Sequence, residues 1–145
     1  MSNKIDDIQN KIIDEFSRFG DWFEIYAHLI DLGKSLEGLD PQLKNDKYSI
    51  SGCQSQVWIK AENIGDKIHY VADSDSLITK GILSVVLRVL NDQSKSDIIN
   101  ADLFFIEEIG LGTNLSPSRL NGLNSIINKI RILAVSYTHL RAHET

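Results

Sequence analysis

The sequence predicts an α+β fold: a small antiparallel β-sheet of about three strands, with helices packed mainly on one side. Apolar residues recur every three or four positions near both ends of the chain, which is typical of amphipathic helices. In the middle of the chain they recur at every second position, which indicates half-buried strands. The strand segments are adjacent in sequence, and this order favours an antiparallel sheet within one domain of 145 residues.

The helical period first covers residues 5–19, and we expect Gly20 to end this helix in a left-handed conformation. Asp21 follows as an N-cap, with Glu24 three residues later. This capping-box spacing predicts a second helix that ends at Leu36.

The alternating period covers residues 57–61 and 68–72, separated by a turn at 63–66. These segments predict a β-hairpin. We expect a third strand at 48–51, and the loss of any period over 37–47 predicts a loop before it.

Helical spacing returns over 77–89, where the segment is apolar nearly all round and is expected to lie deep in the core. Shorter helices are expected from Ser96 and over 102–109. Ser116 as N-cap with Pro117 at the first helical position predicts the start of a long last helix.

The last ten residues are polar and lack periodicity. We therefore expect a single domain over 1–135 and a tail, 136–145, that is disordered or a cloning artefact. His139 and His143 have helical spacing but lie in this tail without a third ligand, so we expect no metal site.

The net charge of −5 and the pI near 5.3 argue against nucleic acid as a partner, because phosphate binding requires clustered lysine and arginine. The N-terminal residues turn acidic at once and lack the apolar stretch of a signal peptide. The longest apolar stretch, 81–90, is too short to cross a bilayer. We expect a cytoplasmic protein without a membrane partner.

Cys53 is the only cysteine, so an intramolecular disulfide is excluded. A lone cysteine is most often a small buried hydrophobe. The neighbours of Cys53 are small or polar, however, and Gly52 allows another chain to approach closely. No His or Lys is adjacent to lower the pKa of the thiol, so we expect a sheltered sulfur that a partner activates.

Three segments resemble the SufE family of sulfur acceptors. The run Gly-Cys-Gln-Ser-Gln-Val-Trp at 52–58 is similar to the family signature around its cysteine. The segments 73–81 and 115–122 resemble two further family motifs in the same order, and the similarity spans about 5–134.

The resemblance implies a fold similar to the IscU-type cluster scaffolds and a partnership with a SufS-type, pyridoxal-phosphate cysteine desulfurase. Cys53 would accept persulfide sulfur from that enzyme and pass it to a SufBCD-type scaffold complex for iron–sulfur cluster assembly. The chain would then be a sulfur carrier and not an enzyme, with no cofactor of its own, acting as a monomer or weak homodimer.

Gly52 and Gln54 flank the sulfur and are expected to support it. Asp73 and Asp75 are candidates for general acids or metal ligands, but a cap on the following helix, from Ser74, Asp75 or Ser76, is the favoured interpretation. The resemblance also implies that this segment lies near the surface facing the desulfurase, where Asp75 would tune docking. Arg119 would either stabilise the thiolate or persulfide of Cys53, or be a solvated arginine at a helix start.

Other functions compete with the sulfur carrier. An IscU-type scaffold would need several thiolates, and one cysteine per chain does not supply them. A thiol-dependent enzyme would need a base near Cys53, and the adjacent sequence offers none. An interaction module with a structural cysteine remains a further alternative.

Overall fold

The order of helices and strands confirms the α+β class. The computed structural model describes residues 4–144, with side chains described over 4–136. Its helices are α1 (Lys4–Phe16), α2 (Trp22–Lys34), α3 (Leu77–Leu90), α4 (Lys95–Asn100), α5 (Phe105–Glu108), α6 (Leu111–Asn114) and α7 (Pro117–Glu144). Its strands are β1 (Val57–Ile64), β2 (Lys67–Ser74) and β3 (Gln93–Ser94), and a 3-10 turn covers Pro41–Leu43.

The strands β1 and β2 form the expected antiparallel hairpin, with Val57 opposite Ser74 and Ile64 opposite Lys67. Gly65, at φ +64°, lies in the turn between them, where glycine adopts a positive φ without strain. Alternate residues on the hairpin are buried against the helices: Val57, Ile59, Ala61, Ile68, Tyr70 and Ala72. The helices α3 and α7 contact this sheet.

The third strand lies elsewhere than predicted. Around 48–51, Ser49 forms one isolated bridge to Trp58, and the Ile50 amide donates to the Val57 carbonyl at 2.8 Å. Gly52 then turns the chain away at φ +88°, so this pairing ends. The third strand of the sheet is β3, which pairs with β2; its two residues are too few to show an alternating pattern.

The first helix also ends earlier than predicted. It stops at Phe16, and Gly20 does not have a positive φ. The Gly20 amide donates instead to Glu24 Oε2 at 2.6 Å, and the Glu24 amide donates to Asp21 Oδ1 at 3.0 Å. The Asp21 cap is therefore confirmed, with the glutamate reaching back one residue further than a capping box requires.

The helix α3 is the centre of the core, as its nearly all-round apolar sequence predicted. Ten of its 14 residues are buried. It packs closely on α2, since a Cβ added to Gly81 would lie 2.0 Å from the Leu29 carbonyl oxygen. The two helix backbones are thus in direct contact at Gly81.

The sheet is also tied to α7 by a buried hydrogen bond. The Tyr70 hydroxyl donates to the Ile130 carbonyl oxygen at 2.8 Å, and both residues are almost fully buried. Burial raises the pKa of the Tyr70 hydroxyl, so it remains a donor. This bond fixes the middle of α7 against the hairpin.

The helix α7 continues to Glu144, through most of the predicted tail, 136–145. Beyond Ser136 the side chains, including those of His139 and His143, lie outside the described residues. The origin of this tail therefore stays a prediction, as does the domain boundary at residue 135.

We expect Gly81→Ala to destabilise the fold by about 1–3 kcal/mol, because the new methyl group would overlap the backbone of α2. Helix propensity alone would favour alanine by about 1 kcal/mol. Urea unfolding measures the free energy of unfolding. The matched control is Gly112→Ala in α6, where nothing lies within 4 Å of the added Cβ. Equal stability of the two variants would contradict this account of the α2–α3 contact.

Candidate functional site

The segment 51–56, which we call the cysteine loop, joins the turn after Ile50 to β1. Its backbone lies against α7, because a Cβ added to Gly52 would be 2.7 Å from Ser125 Oγ. Gly52 also has φ +88°. The positive φ therefore favours glycine here, and an added Cβ would also force the Ser125 hydroxyl to move.

Cys53 is half-buried, and its sulfur lies against α7. The thiol donates to the Gly122 carbonyl oxygen on α7, with Sγ and O 3.7 Å apart. The sulfur lies beside a small enclosed cavity of about 10 Å³. The walls of this cavity come from α3 and α7, chiefly Thr79, Ile82, Arg119, Gly122, Leu123 and Ile126. Such a volume holds about one water-sized sphere.

Burial raises the pKa of the Cys53 thiol above its ordinary value. Desolvation causes this rise, because a low-dielectric environment disfavours the charged thiolate. The resting chain therefore holds Cys53 as a neutral, sheltered thiol.

Arg119 lines the same cavity as Cys53. It lies in the first turn of α7, where its amide donates to Ser116 Oγ, so Ser116 caps this helix as predicted. The Arg119 Nε atom is buried and has no hydrogen-bond partner within the described part of the chain. An unsatisfied buried donor is costly, and an anion held in the cavity would satisfy it.

The cysteine loop is anchored to the start of α3 at its far end. The Gln56 amide donates to Asp75 Oδ1 at 3.0 Å, and Ser74 Oγ donates to the Gln56 carbonyl at 2.7 Å. Ser55 and Thr79 share a hydroxyl hydrogen bond of 3.0 Å. The cap of α3 is Ser76, which is one of the three predicted candidates, and neither Asp73 nor Asp75 caps this helix. The Asp75 carboxylate is committed to the loop instead.

Asp73 has a structural role beside the site. Burial alone would raise the pKa of its carboxyl group, but hydrogen bonds from Lys44 and from the Ser74 and Leu39 amides outweigh it, and the pKa is lowered. Lys44 Nζ lies 3.0 Å from its Oδ2, and Lys80 Nζ lies 3.7 Å from its Oδ1. The carboxylate thus fixes the loop that precedes the cysteine loop.

An open groove of about 350 Å³ runs along the cysteine loop, bounded by the segment 44–46 and by Trp58. Lys44 lies over the Trp58 ring, with Nζ 5.5 Å from the ring centroid. Cys53 borders both this groove and the enclosed cavity. An outward movement of the cysteine loop would therefore take the sulfur from the enclosed cavity to the open groove.

The structure brings together Cys53, Gln54 and Arg119, which line one cavity, and places Gly52 against α7. Asp75 is exposed and lies outside that cavity. Sequence reasoning missed Gly122 as a site residue. A glycine inside a helix costs about 1 kcal/mol relative to alanine, so it signals a close approach. A Cβ at Gly122 would lie 3.7 Å from the Cys53 sulfur.

Over 4–136, no three His, Cys, Asp or Glu side chains cluster in a way that would hold a metal ion. None of the helices in the described part of the chain has the length and apolar character needed to cross a membrane.

Comparison with known proteins gives a family match and a structural match. A family model described as SufE, the Fe-S metabolism associated domain, matches residues 10–134. The fold is similar to the solution structure of a hypothetical protein from Thermus thermophilus, with a TM-score of 0.72 and 14% sequence identity. That match covers 89% of this chain and 94% of the other, and it supports the fold alone.

We expect the rate at which iodoacetamide alkylates Cys53 to increase with pH. In the native chain this increase should occur at higher pH than in the unfolded chain. The reason is that burial raises the pKa of the thiol, and the thiolate is the form that reacts. Stopped alkylation followed by mass spectrometry measures the rate at each pH, with the urea-unfolded chain as control. A native profile at or below the unfolded one would show that the thiolate is stabilised at rest.

Proposed function

Because this chain belongs to the SufE family, whose domain is associated with Fe–S metabolism, we propose that it carries sulfur on Cys53 for iron–sulfur cluster assembly. The donor is a cysteine desulfurase of the SufS type, which the carrier stimulates, and the receiver is a SufBCD-type scaffold complex. The observation that carries the proposal is a single cysteine whose sulfur borders an enclosed cavity beside an unpaired arginine donor. One domain, 1–135, would hold the whole function.

The transfer is a thiol exchange at sulfur. The Cys53 thiolate attacks the outer sulfur of the persulfide on the desulfurase cysteine, and a new S–S bond forms on Cys53. The S–S bond of the donor breaks, and the donor cysteine leaves as a thiolate that takes up the proton released by Cys53. The outer sulfur keeps its oxidation state, so no external oxidant or reductant is needed.

Because burial raises the pKa of the Cys53 thiol, the partner would have to activate it by favouring the thiolate. In the resting chain the neutral thiol lies against α7, where it reacts little with small molecules in solution. On docking, movement of the cysteine loop toward the open groove would return the sulfur to a polar environment and favour the thiolate. The partner would thus gate the reaction by moving a short loop.

After transfer, the same cavity suits the product. Its volume of about 10 Å³ leaves room for roughly one more atom beside Cys53. Arg119 Nε would then donate to the persulfide anion, which removes the unsatisfied donor and shields the outer sulfur from thiols in solution. We assign Arg119 this role in place of a solvated helix-start arginine.

The remaining candidate residues support the loop or the partner. Gly52 allows the loop to lie on α7, and the exposed Gln54 and Asp75 would face a docking protein. Asp75 would tune docking while holding Gln56. The competing interpretations are less well supported: among the cavity walls there is no histidine base for a thiol enzyme, and one cysteine does not hold a cluster.

We expect incubation with a cysteine desulfurase and free cysteine to add the mass of one sulfur atom to Cys53, removable by a reducing thiol. Intact-protein mass spectrometry and peptide mapping measure the adduct. Cys53→Ser keeps a side chain of similar size but lacks the sulfur, so it should neither gain the adduct nor stimulate the desulfurase. If the serine variant stimulated the desulfurase fully, the proposed carrier function would be wrong.

We expect both Arg119→Met and Arg119→Lys to shorten the lifetime of the Cys53 persulfide in glutathione by about tenfold, since each removes the Nε donor. The decay of the persulfide mass measures the effect. Arg18→Met is the matched control, because Arg18 is exposed and lies outside the cavity of Cys53. Equal decay in all variants would exclude the assigned role of Arg119.

A further inference from the structure

The open groove along the cysteine loop carries a lysine whose role the sections above leave open. Among the residues of the described chain that line this groove, the charged ones are Lys44 and Asp46, and Cys53 lines it with them. Arg119 lines the enclosed cavity on the other side of Cys53 and does not line the groove. Each of the two spaces that the cysteine borders therefore has its own cation.

The ammonium group of Lys44 is held in place by two contacts. Its Nζ lies 3.0 Å from Asp73 Oδ2 and 5.5 Å from the centroid of the Trp58 ring. An ammonium group has three donor hydrogens, and the carboxylate of Asp73 does not use all of them. The Lys44 side chain is 33% exposed, so the group stays accessible from the groove.

The contact with Asp73 does not cancel the charge of Lys44. The same carboxylate also faces Lys80, whose Nζ lies 3.7 Å from Oδ1, so two ammonium groups share one negative charge. Asp46 is exposed, and it forms no ion pair with Lys44 among the described side chains. A positive charge is therefore left in excess beside the groove.

Attack on a persulfide requires the thiolate of Cys53, and a nearby cation favours that form. In the resting chain the sulfur lies against Gly122 on α7, in a cavity that Lys44 does not line. Under the proposed function, on which this inference rests, the cysteine loop moves outward into the groove where Lys44 lies. We infer that Lys44 is the cation that stabilises the Cys53 thiolate in this open state.

The two cations then act at different stages of the transfer. Lys44 pairs with the thiolate while it attacks the donor persulfide, and Arg119 binds the persulfide anion once the loop has closed. Lys44 keeps all its protons, because it acts by its charge; the proton of the Cys53 thiol still goes to the donor cysteine that leaves. Docking of the donor opens the loop, and a side chain of the carrier itself supplies the activating charge.

The test is single-turnover transfer from a SufS-type desulfurase that has been loaded with persulfide and is mixed with an excess of the full chain. Mass spectrometry of quenched samples gives the rate at which Cys53 gains sulfur, at increasing concentrations of the chain. Lys44→Met should lower the maximal rate at least about threefold, since a neighbouring cation raises the thiolate fraction by more than it lowers the nucleophilicity. The concentration that gives half of the maximal rate should not change.

Two matched variants separate the charge at the groove from other effects. Lys44→Arg keeps the charge and should keep the maximal rate. Lys47→Met removes the same charge from the same segment, but Lys47 lies over the Tyr48 ring, with Nζ 5.3 Å from the centroid, and does not line the groove. This variant should transfer sulfur as fast as the unsubstituted chain.

Three results would overturn the role of Lys44 and leave the carrier function in place. One is an unchanged maximal rate in Lys44→Met. Another is a change in the half-saturating concentration alone, which would make Lys44 a docking contact. The third is faster alkylation of resting Cys53 by iodoacetamide in Lys44→Met, which would show that the substitution only loosens the loop. If the unsubstituted chain gained no sulfur at all, the proposed function itself would fail, and the role of Lys44 with it.

Discussion

The site depends on how closely the backbone of the cysteine loop approaches α7. At Gly52 a single added carbon would meet Ser125 Oγ at 2.7 Å, and Gly122 brings its own backbone against the Cys53 sulfur. Two glycines that are far apart in sequence therefore define one contact. The sulfur is enclosed at this contact, beside the buried Nε atom of Arg119, and burial raises the pKa of its thiol.

Shelter and reactivity make opposite demands on this sulfur. The enclosure that protects a bound sulfane also removes the water that stabilises a thiolate, so a permanently activated Cys53 would have to be permanently exposed. A carrier avoids the conflict by separating the two states in time, with the sulfur hidden while it travels and exposed while a partner is bound. An enzyme acting alone on small substrates has no such partner to make the change.

Local patterns predicted most of the fold, and long-range contacts account for most of the errors. The N-cap at Asp21, the hairpin and the buried α3 follow from neighbouring residues, so their sequence signals were sufficient. The two-residue β3 and the role of Asp75 depend on partners 19 or more residues away, which no local pattern reports. At the cavity Cys53 contacts Gly122 of α7, which is 69 positions later in the sequence. In the sequence, Gly122 could be noticed only as a residue that is unfavourable inside a helix.

The hydrogen bond between Tyr70 and Ile130 has a consequence for how the sulfur becomes accessible. It ties α7 to the sheet and so holds the wall of the cavity in place, and under the proposed function the cysteine loop would be the part that moves. The middle of the loop is held over the cavity by two weak bonds, from Cys53 to Gly122 and between Ser55 and Thr79, at about 1 kcal/mol each, while Gln56 at its end is bonded to Asp75 and Ser74. Opening the middle of the loop would therefore break few bonds and would need no movement of α7. A docking partner would have to draw out only this short segment, at the rates of ordinary loop motion.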